Sequence, residues 1–289
     1  MVQSTITFKL KTEKMKKTFL KYGIALAAIV LMYACSKKDG ITNQPYDAYG
    51  ISGTQGQLKI NLAFAYTIDY ATLRIRVNGK TVSGSMQSRQ PFPGGGYNTR
   101  GSNFALYLSV PQGSNTVSVF IPKVGTDTDS IVLYSGTVSV PDNNPYTLHL
   151  SDTARNPRSG KVDDLLVKNI INKLDTGFCR FKFVNLIPNL AAVDLYLNGI
   201  KIKSSIPYKT ATDTFSVRTG VNQPGWTSAI TTTWAVRPAG ALPTSAATAS
   251  YASSNGLQSQ KVMTIFSMGY ATATGTRLPY VAFTLDNNQ

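Results

Sequence analysis

Apolar and polar positions alternate along most of the chain. Leu73, Ile75 and Val77 are separated by Arg74 and Arg76, and Leu106, Leu108 and Val110 by Tyr107 and Ser109. Val117, Val119 and Ile121 continue the pattern. Further on, Phe181 and Phe183 flank Lys182, and Val193, Leu195 and Leu197 are separated by Asp194 and Tyr196. Successive side chains of a strand point to opposite faces, so this period of two predicts antiparallel strands buried on one side. The best helical pattern, Leu165–Leu174, is short and does not change the picture. The fold class predicted is all-β.

The alternation repeats itself. LRIRVNGKTV (73–82) parallels LYLNGIKI (195–202), each with Asn-Gly between two strand patterns. Asn-Gly is the strongest short hairpin signal, because a type I′ turn needs φ > 0 at both central residues. Upstream, Ile60 and Leu62 match Phe181 and Phe183. Downstream, LSVPQG (108–113) matches FSVRTG (215–220). Three matches in one order predict a duplicated domain, with copies at 51–176 and 177–289. Two alignments of the end of the first copy are open. PYTLHLSD (145–152) resembles PYVAFTLD (279–286), or it corresponds to KVMTIFSMG (261–269) with KVDDLLV (161–167) as the closing strand. The second is preferred, since the first leaves a long linker without structure inside a compact protein.

The first copy carries an insertion around SRQPFPGGGYNTR (88–100). Pro91, Pro93 and Gly94–Gly96 cannot form a regular strand. A mobile loop is expected, bearing Phe92, Tyr97, Arg89 and Arg100, and it is the expected place of specific recognition.

The N-terminus departs from the β pattern. Lys16 and Lys17 precede an apolar run, Tyr22–Ala34, that ends at Cys35. A basic segment, an apolar segment of about 7–15 residues and a small residue before the cut mark a secretory signal. A membrane-spanning helix needs roughly 20 apolar residues. Met32-Tyr33-Ala34-Cys35 is similar to a bacterial lipobox, with Cys35 the residue that would carry lipid. Residues 1–34 are then a signal peptide, with Met15 the better start, and 35–50 a lipidated tether. The expected location is the bacterial cell envelope, in the outer membrane on its periplasmic or surface face.

Composition narrows the function. Without residues 1–34 the net charge is +10, all 13 acids are Asp, and Cys179 is the one Cys besides Cys35. The Lys and Arg residues occur singly or in pairs, so no nucleic-acid partner is expected. The single His, His149, stands between Leu148 and Leu150 as an outward strand residue. One His cannot build a multi-His metal site, and neither HExxH nor Gly-x-Ser-x-Gly is present. A glycosidase could use a pair of Asp carboxylates, but no candidate pair stands out: the adjacent Asp163 and Asp164 point to opposite faces of one strand. Asp127 and Asp129 of GTDTDS are the best calcium candidates but lack further ligands. No catalytic residue, metal or cofactor is expected. Trp234 reads as core. Phe92, Tyr97 and Trp226, in turn-rich segments, are the candidate ligand-binding aromatics.

The segment FKFVNLIPNLAAVDLYLNGIKIKSSIPYKTATDTFSVRTG resembles the bacterial extracytoplasmic domain of unknown function numbered 4397. Asn185, Pro188, Val193, Asp194, Tyr196, Asn198 and Gly199 carry the resemblance, which extends over 178–289 and is weak in the first half. It implies an immunoglobulin-like β-sandwich on a secreted or surface-anchored protein and supplies no catalytic residue. The reading is therefore a non-enzymatic lipid-anchored envelope protein that binds an extracellular protein or glycan. A carbohydrate-binding accessory lipoprotein of a glycan-uptake system is the alternative, and a glycan-active hydrolase a third.

Overall fold

The structure, a computed structural model, describes residues 54–65, 72–126, 129–152, 162–172, 174–220 and 230–287. They form strands throughout, with no α-helix among them. The first half holds β1 (Gln55–Leu62), β2 (Arg74–Val77), β3 (Lys80–Thr81), β4 (Pro91–Phe92), β5 (Leu108–Pro111), β6 (Gly113–Pro122), β7 (Asp129–Val140), β8 (Pro145–Asp152) and β9 (Val162–Lys168). The second holds β10 (Phe178–Leu186), β11 (Ala192–Leu197), β12 (Ile200–Pro207), β13 (Thr210–Ala211), β14 (Phe215–Arg218), β15 (Thr232–Pro238), β16 (Ala249–Ser253), β17 (Val262–Met268) and β18 (Tyr280–Leu285).

Each half is a pair of sheets. In the first, β4-β1-β8-β9 with β5 alongside β1 faces β3-β2-β6-β7; in the second, β13-β10-β17-β18 with β14 alongside β10 faces β12-β11-β15-β16. Adding nine to every strand number of the first half gives the second. The one parallel pairing also recurs, β1 with β8 and β10 with β17. Strand β8 thus takes the place of β17, and β9 that of β18. Stretch 165–174 is strand as far as Lys168.

The two Asn-Gly turns sit at equivalent places, between β2 and β3 and between β11 and β12. Asn78 and Asn198 both have φ 48°, and Gly79 and Gly199 both φ 80°, the left-handed pair a type I′ turn requires. Each Asn side chain also accepts from the neighbouring strand, Asn78 Oδ1 from Thr116 N at 2.9 Å and Asn198 Oδ1 from Thr233 N at 2.8 Å.

One expected match is displaced. Leu58 pairs with Leu108, and Phe181 with Phe215. Leu58 and Ile60, not Ile60 and Leu62, therefore correspond to Phe181 and Phe183. A slip of two residues keeps every side chain on its own face, so alternation alone does not reveal it.

Each half closes on its own core. The first gathers Leu58, Ile60, Ile75, Val119 and Leu148, and the second Phe181, Phe183, Leu195, Trp234 and Phe283. The Trp234 ring lies 4.8 Å from that of Phe181. A third cluster joins the halves: Ala63, Ala65 and Val167 pack against Val184, Leu186, Phe266 and Met268. The β1 sheet and the β10 sheet thus meet back to back, giving four stacked layers.

The inserted segment is a clasp across this joint. Phe283 N donates to Tyr97 O at 2.9 Å and Leu285 N to Gly95 O at 3.1 Å, which covers the outer edge of β18. Gly95 and Gly96 are buried. A Cβ at Gly96 would lie 1.7 Å from Phe283 O, so only glycine permits the approach. The expected mobile loop is instead pinned by backbone hydrogen bonds. Gly96→Ala should lower the unfolding free energy by about 1–3 kcal/mol, while Gly84→Ala, which has open space around it, should stay within about 0.5 kcal/mol. Urea unfolding of both variants checks this.

Candidate functional site

The polar chemistry of the chain converges on the joint. Pairing registers make Lys59 equivalent to Lys182, Thr147 to Thr264, His149 to Phe266, and Asn169 to Asp286. These equivalents meet around a pseudo-two-fold axis. The His149 and Phe266 rings meet with centroids 6.1 Å apart, tilted by 57°. Lys59 Nζ donates to Leu285 O, and Lys182 Nζ to the equivalent carbonyl, Lys168 O. Asn169 Nδ2 donates to Thr147 Oγ1 at 2.8 Å, and Thr264 Oγ1 to Asp286 Oδ2 at 2.6 Å.

The symmetry breaks where burial breaks. Lys59 has 0% exposure and Lys182 is half-buried. The Tyr107 ring covers Lys59 Nζ at 4.4 Å, whereas Thr214, at the equivalent place ahead of β14, is too short to cover Lys182. A fully buried cation needs a counter-charge. Lys59 has one in Asp286, 3.7 Å away, while the corresponding position near Lys182 is the neutral Asn169. Burial pushes the Lys59 ammonium pKa down and the Asp286 carboxyl pKa up, and each partner's charge pulls the other back.

His149 is fully buried. The expectation of an outward residue holds for its own half, but the second half covers that face. Asn61 Nδ2 lies 3.0 Å from His149 Nδ1. Desolvation, helped by the charges of Lys59 and Lys182, lowers the imidazole pKa to about 3. Cys179 is buried and unpaired, and burial pushes its thiol up to about 12.

The sequence-derived candidates are distributed as follows. Cys35, Trp226 and Asp127 lie outside the described residues. Phe92, in β4, is half-buried against the first core. Tyr97 packs against the second core, its ring 6.5 Å from that of Phe283, and its Oη accepts from Gln258 Nε2 at 2.6 Å. Arg89 stacks over Tyr280 at 4.2 Å. The insertion spends these groups on the clasp, not on a free stacking platform. Asp129 is held in a two-pronged pair by Arg76 at 2.9 and 3.0 Å. Asp163 and Asp164 do face opposite ways, to Tyr208 and to Tyr134.

The residues of the family-like signature act as staples. Asp194 accepts from Ser205 N at 2.7 Å and Gly240 N at 3.2 Å and pairs with Lys201 at 2.6 Å. It thereby ties down β12 where Ser205 has φ 55°. Asn185 donates to Ile206 O and accepts from Ile187 N. Tyr196 is covered by the Arg237 guanidinium at 4.5 Å. In the first half the equivalent positions hold Arg76 and Phe120, stacked at 4.4 Å. Cation and ring have exchanged strands, and the stack survives. That exchange identifies a packing device on the two outer faces.

Sequence reasoning missed the Lys59–Asp286 pair. Its one signal was a Lys flanked by Leu58 and Ile60, which alternation assigns to water. No protein-family model matches the chain, and no curated protein matches it.

The lowered His149 pKa has a defined sign. The unfolded ring, with a pKa near 6.5, binds a proton that the folded ring refuses, so stability should fall as pH drops from about 6.5 toward 3, by at most about 1.4 kcal/mol per unit from this group. His149→Phe, which places the side chain of its own counterpart Phe266 there, should remove that component. The difference between the two proteins' unfolding free energies, measured by urea titration at pH 7 and pH 4.5, checks it.

Proposed function

We propose that the chain is a non-enzymatic, lipid-anchored protein of the bacterial cell envelope whose paired sandwiches, of immunoglobulin-like type, present a rigid surface to an extracellular protein or glycan. The observation that carries this reading is the placement of its reactive groups. The single imidazole and the thiol of Cys179 are walled into the interior, and their pKa values are displaced to where neither serves as base or nucleophile near neutral pH. Among the described residues no three His, Cys, Asp or Glu side chains gather as a metal site. The best-placed acids are occupied by Arg76, Lys59, Lys201 and Tyr134.

The membrane partner is the bilayer itself, reached through the lipid on Cys35. A diacylglycerol thioether with an added amide-linked chain supplies more than the two acyl signals that stable anchoring takes. The polar SKKDG after Cys35 serves as the start of a tether. Ligand contact then falls on the outer sheet faces, since Phe92, Tyr97 and Arg89 are committed to the clasp.

Cys35→Ser should move the protein from the membrane fraction to the soluble fraction and abolish labelling by a fatty-acid analogue. A variant that stays membrane-bound and acylated refutes the anchor.

A further inference from the structure

The pseudo-two-fold axis makes the two halves comparable edge by edge, and one edge lacks its counterpart's cover. On β18 the outward N–H groups of Phe283 and Leu285 are taken by the clasp carbonyls of Tyr97 and Gly95. The equivalent strand in the first half is β9, where Leu166 and Lys168 occupy the places of Phe283 and Leu285. Asn169 N donates to Pro145 O on the β8 side, just as Asp286 N donates to Val262 O. Alternation then turns the N–H groups of Asp164, Leu166 and Lys168 away from β8. None of the three donates to any described residue. Between β13 and β14 the second half has no insertion like 88–100, and its described residues send only side chains to β9: Lys182 Nζ to Lys168 O, and Tyr208 and Lys209 to Asp163, leaving the outward N–H groups uncovered.

The other long edges are blunted. Strands β7 and β12 each carry two register breaks against their neighbours, and β18 is covered. Strand β9 runs in unbroken register with β8 from Tyr146–Lys168 to Asp152–Val162. A regular, open edge of this kind is a template for pairing with another strand.

We propose that β9 is a self-association edge, pairing antiparallel with β9 of a second copy of this chain. The strand is self-complementary. A two-fold axis at Leu165 sets Leu166 opposite the second copy's Asp164, and Asp164 opposite its Leu166. The outward N–H and C=O groups then meet as hydrogen-bonded pairs. The same register brings Lys168 diagonal to the second copy's Asp164 at both ends, which supplies opposite charges. It also puts Leu165 against its own symmetry mate. The sheet β4-β1-β8-β9 would continue through the axis into a second sheet of the same order, an isologous contact that closes at two copies.

Proline at an edge removes only the outward N–H, so Leu166→Pro deletes the central donor without touching the β8 ladder. Leu166→Ala keeps the donor and trims the side chain. The full chain carrying Cys35→Ser is to be examined by sedimentation velocity from about 1 to about 100 µM, a range in which an edge-paired dimer would dissociate on dilution. The expected result is a monomer–dimer equilibrium, retained in Leu166→Ala and weakened at least about tenfold in Leu166→Pro. A monomer at every concentration overturns the proposal, as does a dimer equally strong in Leu166→Pro. Hydrogen exchange on the unsubstituted strand gives a reading independent of whether the proline variant folds. The Leu166 and Lys168 amides should exchange more slowly in concentrated than in dilute protein. Equal rates overturn it.

Discussion

Lys59 is a cation with no access to water, at the centre of a joint between two copies of one fold. Bare burial of an ammonium is costly enough that a side chain normally loses its proton or finds a partner. Here the partner, Asp286, follows directly on the last strand of the other copy, with the Leu285 carbonyl and the Tyr107 ring completing the enclosure. Such a pair is poor evidence of extra stability, because desolvation offsets most of the attraction. Its value is in specifying geometry. A slipped or rotated joint strands a charge, so one arrangement of the halves is selected over its neighbours.

The rest of the structure follows from that constraint. The clasp covers β18 beside Leu285. Tyr107 buries one of two equivalent lysines, and the acid is found beside the one that is buried. His149 and Phe266, equivalent in the fold, touch across the axis because equivalent residues must meet there. The outer faces play no part in the joint, and both carry the same cation-on-ring stack with the two residues exchanged between neighbouring strands.

Much of the fold was legible in the sequence. Alternation gave the strands, and the two Asn-Gly turns gave the repeat, because their backbone requirement is local and few residues meet it. Trp234 was readable as core from its place on an apolar face. The register of β1 was off by two residues, since a shift of two leaves facing unchanged. The joint was not legible at all. Lys59, His149 and Lys182 sit on the polar side of their strands, and alternation assigns that side to solvent. A face that is outward for one half becomes interior when a second half stacks on it. The clasp misled for a related reason. A Pro- and Gly-rich stretch signals irregular backbone, but it does not tell a free loop from one whose glycines allow close approach to another chain segment.

If the joint makes both halves one cooperative body, heat should unfold them together. Differential scanning calorimetry of the full chain at neutral pH, with the calorimetric and van't Hoff enthalpies compared, is the most direct test. The account predicts a single transition with the two enthalpies equal, and two resolved transitions once Asp286→Ala leaves Lys59 without its counter-charge. Two resolved transitions in the unsubstituted protein would contradict it.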